Sequence, residues 1–461
     1  MNDDYTRKYR QTLQLGLIHV IEELFPEEKL AIPYSILDGV YCELIGSAVS
    51  SREVNQIEAQ LKSWVESGSR LEFHGRHNNC YQYKLGDKVY SVVNPAFEHT
   101  SMLKEFHLIY FPPGFILHFS GDKDDSVQFV APGKLAATYN ETHRWLENLN
   151  LSQIKDINSF IKKGKWTELI TLAEALHDKK IADIADLILQ EKKTMKIILI
   201  SGPSSSGKTT FAQRLSTQLR VNGLKPVPLS LDNYFVNRED TPRDASGQLD
   251  FDALEALDLP LLNEQLAKLV KGQEVEVPIF DFLTGHRASE GYPLQLSPDN
   301  ILVIEGIHAL NPNLLQTINR HTCFKIYISA LFLLNIDSYN RVPTTDARLI
   351  RRMVRDNSFR GFEPERTLKQ WASVRRGEDT SVFKFQEEAD VMLNSSLLYE
   401  LNALRCFAEP LLQGIPEQSP YNGIATRLLN VLSFFEPMPT DKIPSTSILR
   451  EFIGGSIYAE D

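Results

Sequence analysis

Cysteine is scarce in this chain: four in 461 residues, scattered at Cys42, Cys80, Cys323 and Cys406. So few, with no repeated spacing, excludes a disulfide-built scaffold and fits a reducing compartment. Positive charge is short as well, with 49 Lys and Arg against 60 Asp and Glu and a net charge of -11. Nonspecific nucleic-acid binding by the whole molecule needs the opposite balance, so nucleic acid is not an expected partner. Any anion site must then be a local concentration of positive charge. Long hydrophobic runs are missing: none approaches the roughly 20 apolar residues of a membrane span, so no membrane partner is expected. Met1-Asn2-Asp3-Asp4-Tyr5 lacks the basic and apolar regions of a signal peptide, and a cytoplasmic location is expected. Internal repeats and low-complexity tracts are absent too.

The length suits two or three domains. Leu13, Leu17, Val20, Ile21 and Leu24 recur at helical spacing over 11–25, and Pro26 stops the run. Ser50 or Ser51 would cap a second helix, 52–66, with Val54, Ile57, Leu61 and Val65 on one face. The stretch 70–119 is β-rich, with runs at 80–85, 88–93, 106–110 and 114–119. His74, His77 and Cys80 have zinc-ligand chemistry, but no fourth ligand lies close by and the surroundings read as a polar loop. Residues 151–191 keep helical spacing, with Ser152 and Asn158 as candidate caps. The expected organisation is an α+β domain over 1–150, a helical connector over 151–193, and an α/β domain over 194–461.

In that last part short apolar runs at 196–201, 226–231, 300–305, 324–329 and 389–394 alternate with helical sequence, which predicts a five-stranded parallel sheet covered by helices. The first run leads into Gly202-Pro203-Ser204-Ser205-Ser206-Gly207-Lys208-Thr209-Thr210, which opens a helix. Strand, glycine-framed loop and Lys-Thr at a helix start form the P-loop arrangement. Backbone N–H groups line a concavity for phosphate oxygens and the helix dipole favours anions. Lys208 would reach the outer phosphates and Thr209 would ligate Mg²⁺.

Ligands of open α/β sheets bind beyond the C-terminal ends of the strands. Asp232 follows the second run and would serve as general base, accepting the proton of a hydroxyl that attacks the γ-phosphate. Glu305 ends the third run, where a Mg²⁺-shell carboxylate is expected. Arg348, Arg351, Arg352 and Arg355 share a helical face, and this set with Arg360 and Arg366 predicts a lid that clamps nucleotide phosphates, offset in part by Asp346 and Asp356. The stretch 249–252 would begin a helix with Asp252 near its start. Phe280-Asp281-Phe282-Leu283-Thr284-Gly285-His286-Arg287 joins aromatic and polar groups that suit an acceptor site.

With those residues in place, 196–395 resembles the uridine kinase family of P-loop kinases. The carriers are Gly202 to Thr209, Leu231-Asp232-Asn233-Tyr234, Phe251-Asp252, Phe280-Asp281-Phe282, Ile304-Glu305-Gly306-Ile307 and Asp346-Ala347-Arg348-Leu349-Ile350-Arg351-Arg352. The resemblance implies ATP or GTP as donor, Mg²⁺, and the 5′-hydroxyl of uridine or cytidine as acceptor. By motif match Asp252 would hold the ribose, Arg352 would reach the nucleoside side, Arg355 and Arg360 the phosphates, and Gln370 the base. Three positions depart from the pattern: Phe280 stands for a tyrosine, Gly285 for a histidine with His286 next to it, and Phe362 for an arginine.

The first 120 residues resemble the second, editing-type domain of threonyl-tRNA synthetases. They do so through Glu23-Leu24-Phe25-Pro26, Leu30-Ala31-Ile32, Leu37-Asp38-Gly39-Val40-Tyr41 and Val54-Asn55-Gln56-Ile57-Glu58-Ala59-Gln60-Leu61. Gln11 and Leu15 stand where that family has an HxxxH pair, so no editing activity is carried over. The whole chain resembles a bacterial fusion of the two, a group that the C-terminal stretch 447–455 also suits. The expectation is a P-loop kinase fold preceded by a synthetase-like α+β domain, acting on a small-molecule nucleoside, with self-association left open. The alternatives are a P-loop kinase for another hydroxyl acceptor, such as a sugar phosphate or pantothenate, and an RNA-associated protein that uses ATP as a switch.

Overall fold

The computed structural model describes residues 3–36, 38–119, 132–191, 195–243, 247, 249–281, 284–316 and 318–458. Leu37, Phe282 and Leu283, named above, lie outside the described residues. The chain divides into two compact units. One comprises Met1–Lys162, Leu333–Pro343 and Thr426–Glu436, and the other Lys163–Phe332, Thr344–Ala425 and Pro437–Asp461. Among the described residues no helix is long and apolar enough to cross a membrane.

The first unit is α+β. Its helices include α1 (Asp3–Leu24), α2 (Ser51–Glu66), α3 (Gly133–Asn148) and α4 (Ile154–Lys162). Strands β1 (Leu30–Ile36), β2 (Gly39–Leu44), β6 (His107–Phe111) and β7 (Gly114–His118) pair antiparallel in the order β1-β2-β7-β6. A meander, β3 (Glu72–His77), β4 (Cys80–Leu85) and β5 (Lys88–Val92), forms a second sheet. Ser50 caps α2 in a capping box with Glu53, an arrangement that contributes about 1 kcal/mol. Val54, Ile57, Leu61 and Trp64 are its buried residues, while Val65 packs at the margin of the same core. The stretch around His74 is not a loop. It is β3, which turns into β4 through Asn78 and Asn79 at φ 48° and 64°, the positive pair of a tight hairpin. His74 and His77 are exposed while Cys80 is buried, and among the described residues no three His, Cys, Asp or Glu side chains are grouped to hold a metal. Asn158 does not cap a helix. It sits inside α4, donates to Phe434 O at 2.7 Å and accepts from Glu436 N at 2.9 Å.

The second unit starts with α5 (Trp166–Gln190) and β8 (Ile197–Ser201), followed by α6 (Lys208–Val221) and β9 (Lys225–Ser230). Next come α7 (Leu259–Leu269), the short strands β10 (Val275–Val277), β11 (Phe280–Asp281), β12 (His286–Arg287) and β13 (Tyr292–Leu294), then β14 (Asn300–Glu305) and β15 (Cys323–Ser329). Helices α8 (Thr344–Arg360) and α9 (Pro364–Ser381), strand β16 (Val391–Asn394) and helix α10 (Glu400–Gln413) follow. The five long-predicted strands form one parallel sheet in the order β16-β15-β8-β14-β9. β8 is central and every residue of it is buried, as its unbroken apolar sequence requires.

The stretch 249–252 is a turn rather than a helix start. The helix begins later, at α7, where Asp258 caps by accepting from Leu261 N at 3.0 Å and Pro260 fits the first turn.

Candidate active site

The sheet order brings three strand ends side by side. The loop 202–207 leaves central β8, Glu305 ends its neighbour β14, and Asp232 lies just past β9 on the far side of β14. A Cβ on Gly202 would sit 2.0 Å from Ile328 O, so only glycine lets the loop leave the strand there. Ser205 and Gly207 take φ of 60° and 88°, turning the backbone into the start of α6. Lys208 Nζ donates back to Gly202 O at 3.0 Å and Pro203 O at 3.3 Å. The hydroxyls of Ser205 and Ser206 are buried without a partner. Orphaned donors, a cradle too tight for a side chain and an ammonium at its mouth fit a polyphosphate.

Lys208 stands among acids. Desolvation lowers its pKa, and Glu305, Asp232, Glu451 and Glu378 oppose that shift. Asp232 is raised by desolvation, with Lys208, Arg360 and Arg355 pulling it back. Glu305 is raised by desolvation and then by Asp232, while Lys208 and a hydrogen bond from Ser230 counteract. Ser230 Oγ donates to Glu305 Oε1 at 2.7 Å and accepts from Asp232 N at 3.4 Å, which ties the two acids to one hydroxyl. Two desolvated carboxyls, one of them pushed further toward protonation by the other, make a site that a cation stabilises. Glu305, with Thr209 at the start of α6, would fit the carboxylate and hydroxyl that a Mg²⁺ shared with phosphates uses.

The arginine helix does not act as one clamp. Arg348 and Arg351 are 1% and 0% exposed and pair with Glu378 and Glu400. Both also hold the loop: Arg348 Nε donates to Ser204 O at 3.0 Å and Arg351 Nη1 to Ser205 O at 3.4 Å. They are supports beneath the loop because their acids come from α9 and α10 on the inner side of α8. Arg352, Arg355 and Arg360 instead gather on the buried carboxylate of Asp356, at 3.2, 2.8 and 3.6 Å. Arg352 Nη1 also reaches Ser204 Oγ at 2.7 Å. Arg355 and Arg360 act on Asp232, and Arg352 on Asp252.

Asp252 has its pKa pushed up to about 7 by desolvation first and by Glu378 second, against Arg352. It abuts α9, where a Cβ on Gly377 would come within 2.1 Å of Asp252 Cβ. Gln370 lies half-buried on the same helix. Phe280 packs on Phe235 with ring centroids 5.6 Å apart.

Two residues of the hairpin β11–β12 are engaged elsewhere. The Arg287 guanidinium donates to Phe235 O at 2.9 Å, Tyr234 O at 3.0 Å and Asp258 Oδ2 at 3.0 Å, so it fastens the hairpin behind Asp232. His286 is exposed, with Glu239 at 3.2 Å and Thr284 O at 3.1 Å.

Glu378, Gly377, Ser230 and Glu451 belong to this neighbourhood, and sequence pattern alone does not single them out. A glycine inside a helical run was the one available signal, since it marks a close approach.

A model of the family described as "Phosphoribulokinase / Uridine kinase family" matches residues 197–397. A uridine kinase of Lactobacillus johnsonii is 29% identical over 206 residues, which cover 44% of this chain and 88% of that protein. One from Deinococcus deserti is 29% identical over 180 residues, 39% of this chain and 77% of the relative. A uridine kinase of Borrelia duttonii is 31% identical over 215 residues, 45% of this chain and 93% of that protein. With a relative matched over nearly its whole length, and with loop, carboxylates and arginines meeting at the strand ends, the chain belongs to the phosphoribulokinase/uridine kinase family.

Proposed function

We propose that the protein is a Mg²⁺- and ATP-dependent kinase that phosphorylates the 5′-hydroxyl of uridine, cytidine or a related nucleoside. The observation that carries this is the meeting of Lys208, Asp232 and Glu305 beyond adjacent parallel strands, with both acids acting electrostatically on Lys208 and Lys208 on both acids. Residues 202–210 would hold the triphosphate, and Thr209 with Glu305 the Mg²⁺. ATP supplies the phosphoryl group to be transferred. Asp232 accepts the acceptor hydroxyl proton, a role that its raised proton affinity favours. Lys208, Arg355 and Arg360 offset the negative charge that develops beside it. Asp252 and Arg352 would orient the acceptor, with Phe280 and Gln370 toward its base.

A second acceptor class, another small hydroxyl compound, is favoured by one observation. Arg287 is taken up by Tyr234 O, Phe235 O and Asp258, and His286 by Glu239 and Thr284 O, so neither is held ready for a nucleoside base. Coupled measurement of ATP consumption against a panel of nucleosides, sugar phosphates and pantothenate decides between them. Asp232→Asn should abolish turnover of the accepted substrate while nucleotide binding persists. Ordinary turnover in that variant removes the base assignment.

For the first unit we read a relative of the second domain of threonyl-tRNA synthetases, supported by its α+β build. Gln11 and Leu15, at the HxxxH positions, are 6% and 0% exposed and belong to the packed face of α1. No editing role is proposed for them.

A further inference from the structure

The phosphate-binding loop touches a carboxylate that the transfer chemistry leaves unused. Glu451 lies in the short helix Arg450–Ile453. Its Oε2 accepts from Thr210 N–H at 3.3 Å and from Thr210 Oγ1 at 2.8 Å. Thr210 stands in the first turn of α6, after the N-cap Gly207. Its N–H is therefore one of the helix-start donors that have no partner within the helix. Such donors, at the positive end of the dipole, are what a nucleotide phosphate uses.

The contact is built into the fold. Ser447, Ile448, Leu449 and Phe452 around it are fully buried. Ile448 lies against Gly207 so closely that a Cβ there would meet its Cγ2 at 2.5 Å. Phe452 sits under the Arg351 guanidinium at 5.1 Å. Arg450 fastens the segment through Thr440 O at 3.0 Å and Ile443 O at 2.7 Å. The backbone is thus fixed, while the Glu451 side chain is only half-buried.

Glu451 also acts on the reacting groups, since it raises the proton affinity of both Lys208 and Glu305. Glu378 offers a contrast. It takes Ser204 N–H at 2.9 Å, but Arg348 and Arg375 hold it in place. Among the described residues Glu451 bonds to Thr210 without a guanidinium to restrain it.

We infer that Glu451 is an internal anion of the nucleotide loop. Its carboxylate takes the Thr210 N–H and hydroxyl in place of a nucleotide phosphate, and it sets nucleotide affinity by competing for them. The exchange needs only a side-chain rotation, because Ile448 and Phe452 keep the segment seated. The inference rests on the nucleotide-binding reading of the loop.

The test is calorimetric titration of the full chain with Mg²⁺ and a non-hydrolysable ATP analogue, in wild type and Glu451→Gln, together with a crystal structure of the wild-type complex. Glutamine keeps an acceptor for Thr210 but lacks the charge that repels phosphate and strengthens the bond. Binding should tighten by on the order of tenfold in the variant. The nucleotide KM should fall while the acceptor KM stays, and the carboxylate should be off Thr210 in the wild-type complex. Equal or weaker binding in Glu451→Gln overturns the inference, as does a carboxylate still on Thr210 beside bound nucleotide. If Glu451→Gln does not fold, the wild-type complex decides alone. Absence of analogue binding in wild type removes the nucleotide reading itself and the inference with it.

Discussion

Replacing Gly377 with alanine adds one carbon, and the structure says where it must go. Its Cβ would lie 2.1 Å from Asp252 Cβ, 2.7 Å from Cγ and 2.9 Å from Oδ2. Carbon atoms prefer about 3.5–4.0 Å, so the pair falls short by roughly 1.5 Å. A β-carbon cannot swing aside, so either α9 or the turn carrying Asp252 has to move. Ser381 Oγ on α9 donates to Asp252 O at 3.1 Å, which ties the two pieces together. Overpacking of this kind costs about 1–3 kcal/mol. Alanine in a helix interior returns about 1 kcal/mol relative to glycine. Net stability should therefore change little, between no loss and about 2 kcal/mol. Activity should change far more, because a 1 Å misplacement near the reacting groups can cost about 10²-fold. The assay is acceptor kcat/KM at saturating nucleotide, read beside nucleotide KM and a thermal melt. A fall of about 10–100-fold in acceptor kcat/KM with nucleotide KM nearly unchanged is expected. An acceptor kcat/KM within about twofold of wild type would refute the view that the α9–Asp252 contact positions the acceptor.

Asp252, with its pKa pushed up to about 7, should make acceptor binding pH-dependent. Acceptor KM should rise as pH falls below that value, approaching tenfold per unit, and Asp252→Asn should flatten this limb while weakening binding. The same shift has the opposite sign for stability. A raised carboxyl favours the folded state below its unfolded value of 3.8, and that contribution is lost as pH rises through about 7. The Arg351–Glu400 pair, 0% exposed on both sides, predicts a purely structural effect. Glu400→Gln leaves a buried guanidinium uncompensated and should cost about 3–5 kcal/mol in urea unfolding, and a loss under about 1 kcal/mol would refute the support role assigned to the pair.

The sheet and the loop were legible because their information is local. Each strand is a short apolar run, and the loop is a fixed spacing between glycines and a lysine. Asp232 and Glu305 follow from the same logic, since strand ends in a parallel sheet point to one edge. The arginines of α8 mark where this logic stops. Periodicity places Arg348, Arg351, Arg352 and Arg355 on one face, but it does not say what that face meets. The answer lies 30 residues away for Arg348, at Glu378, and 49 away for Arg351, at Glu400. Those two acids turn two of the six arginines of the expected phosphate clamp into scaffold. Arg287 was misleading for the same reason: its position in an aromatic, polar stretch suggests a ligand contact, whereas Asp258 and two backbone carbonyls consume it. The loop itself carries the sharpest limit. Sequence identifies its backbone N–H groups as phosphate donors. It does not reveal that Glu378 from α9 and Glu451 from the C-terminal segment already bond two donors, Ser204 N–H in the loop and Thr210 N–H in the first turn of α6. On the inference drawn for Glu451, nucleotide affinity is a difference between a phosphate and this carboxylate competing for the Thr210 N–H, and the carboxylate is encoded 241 residues away.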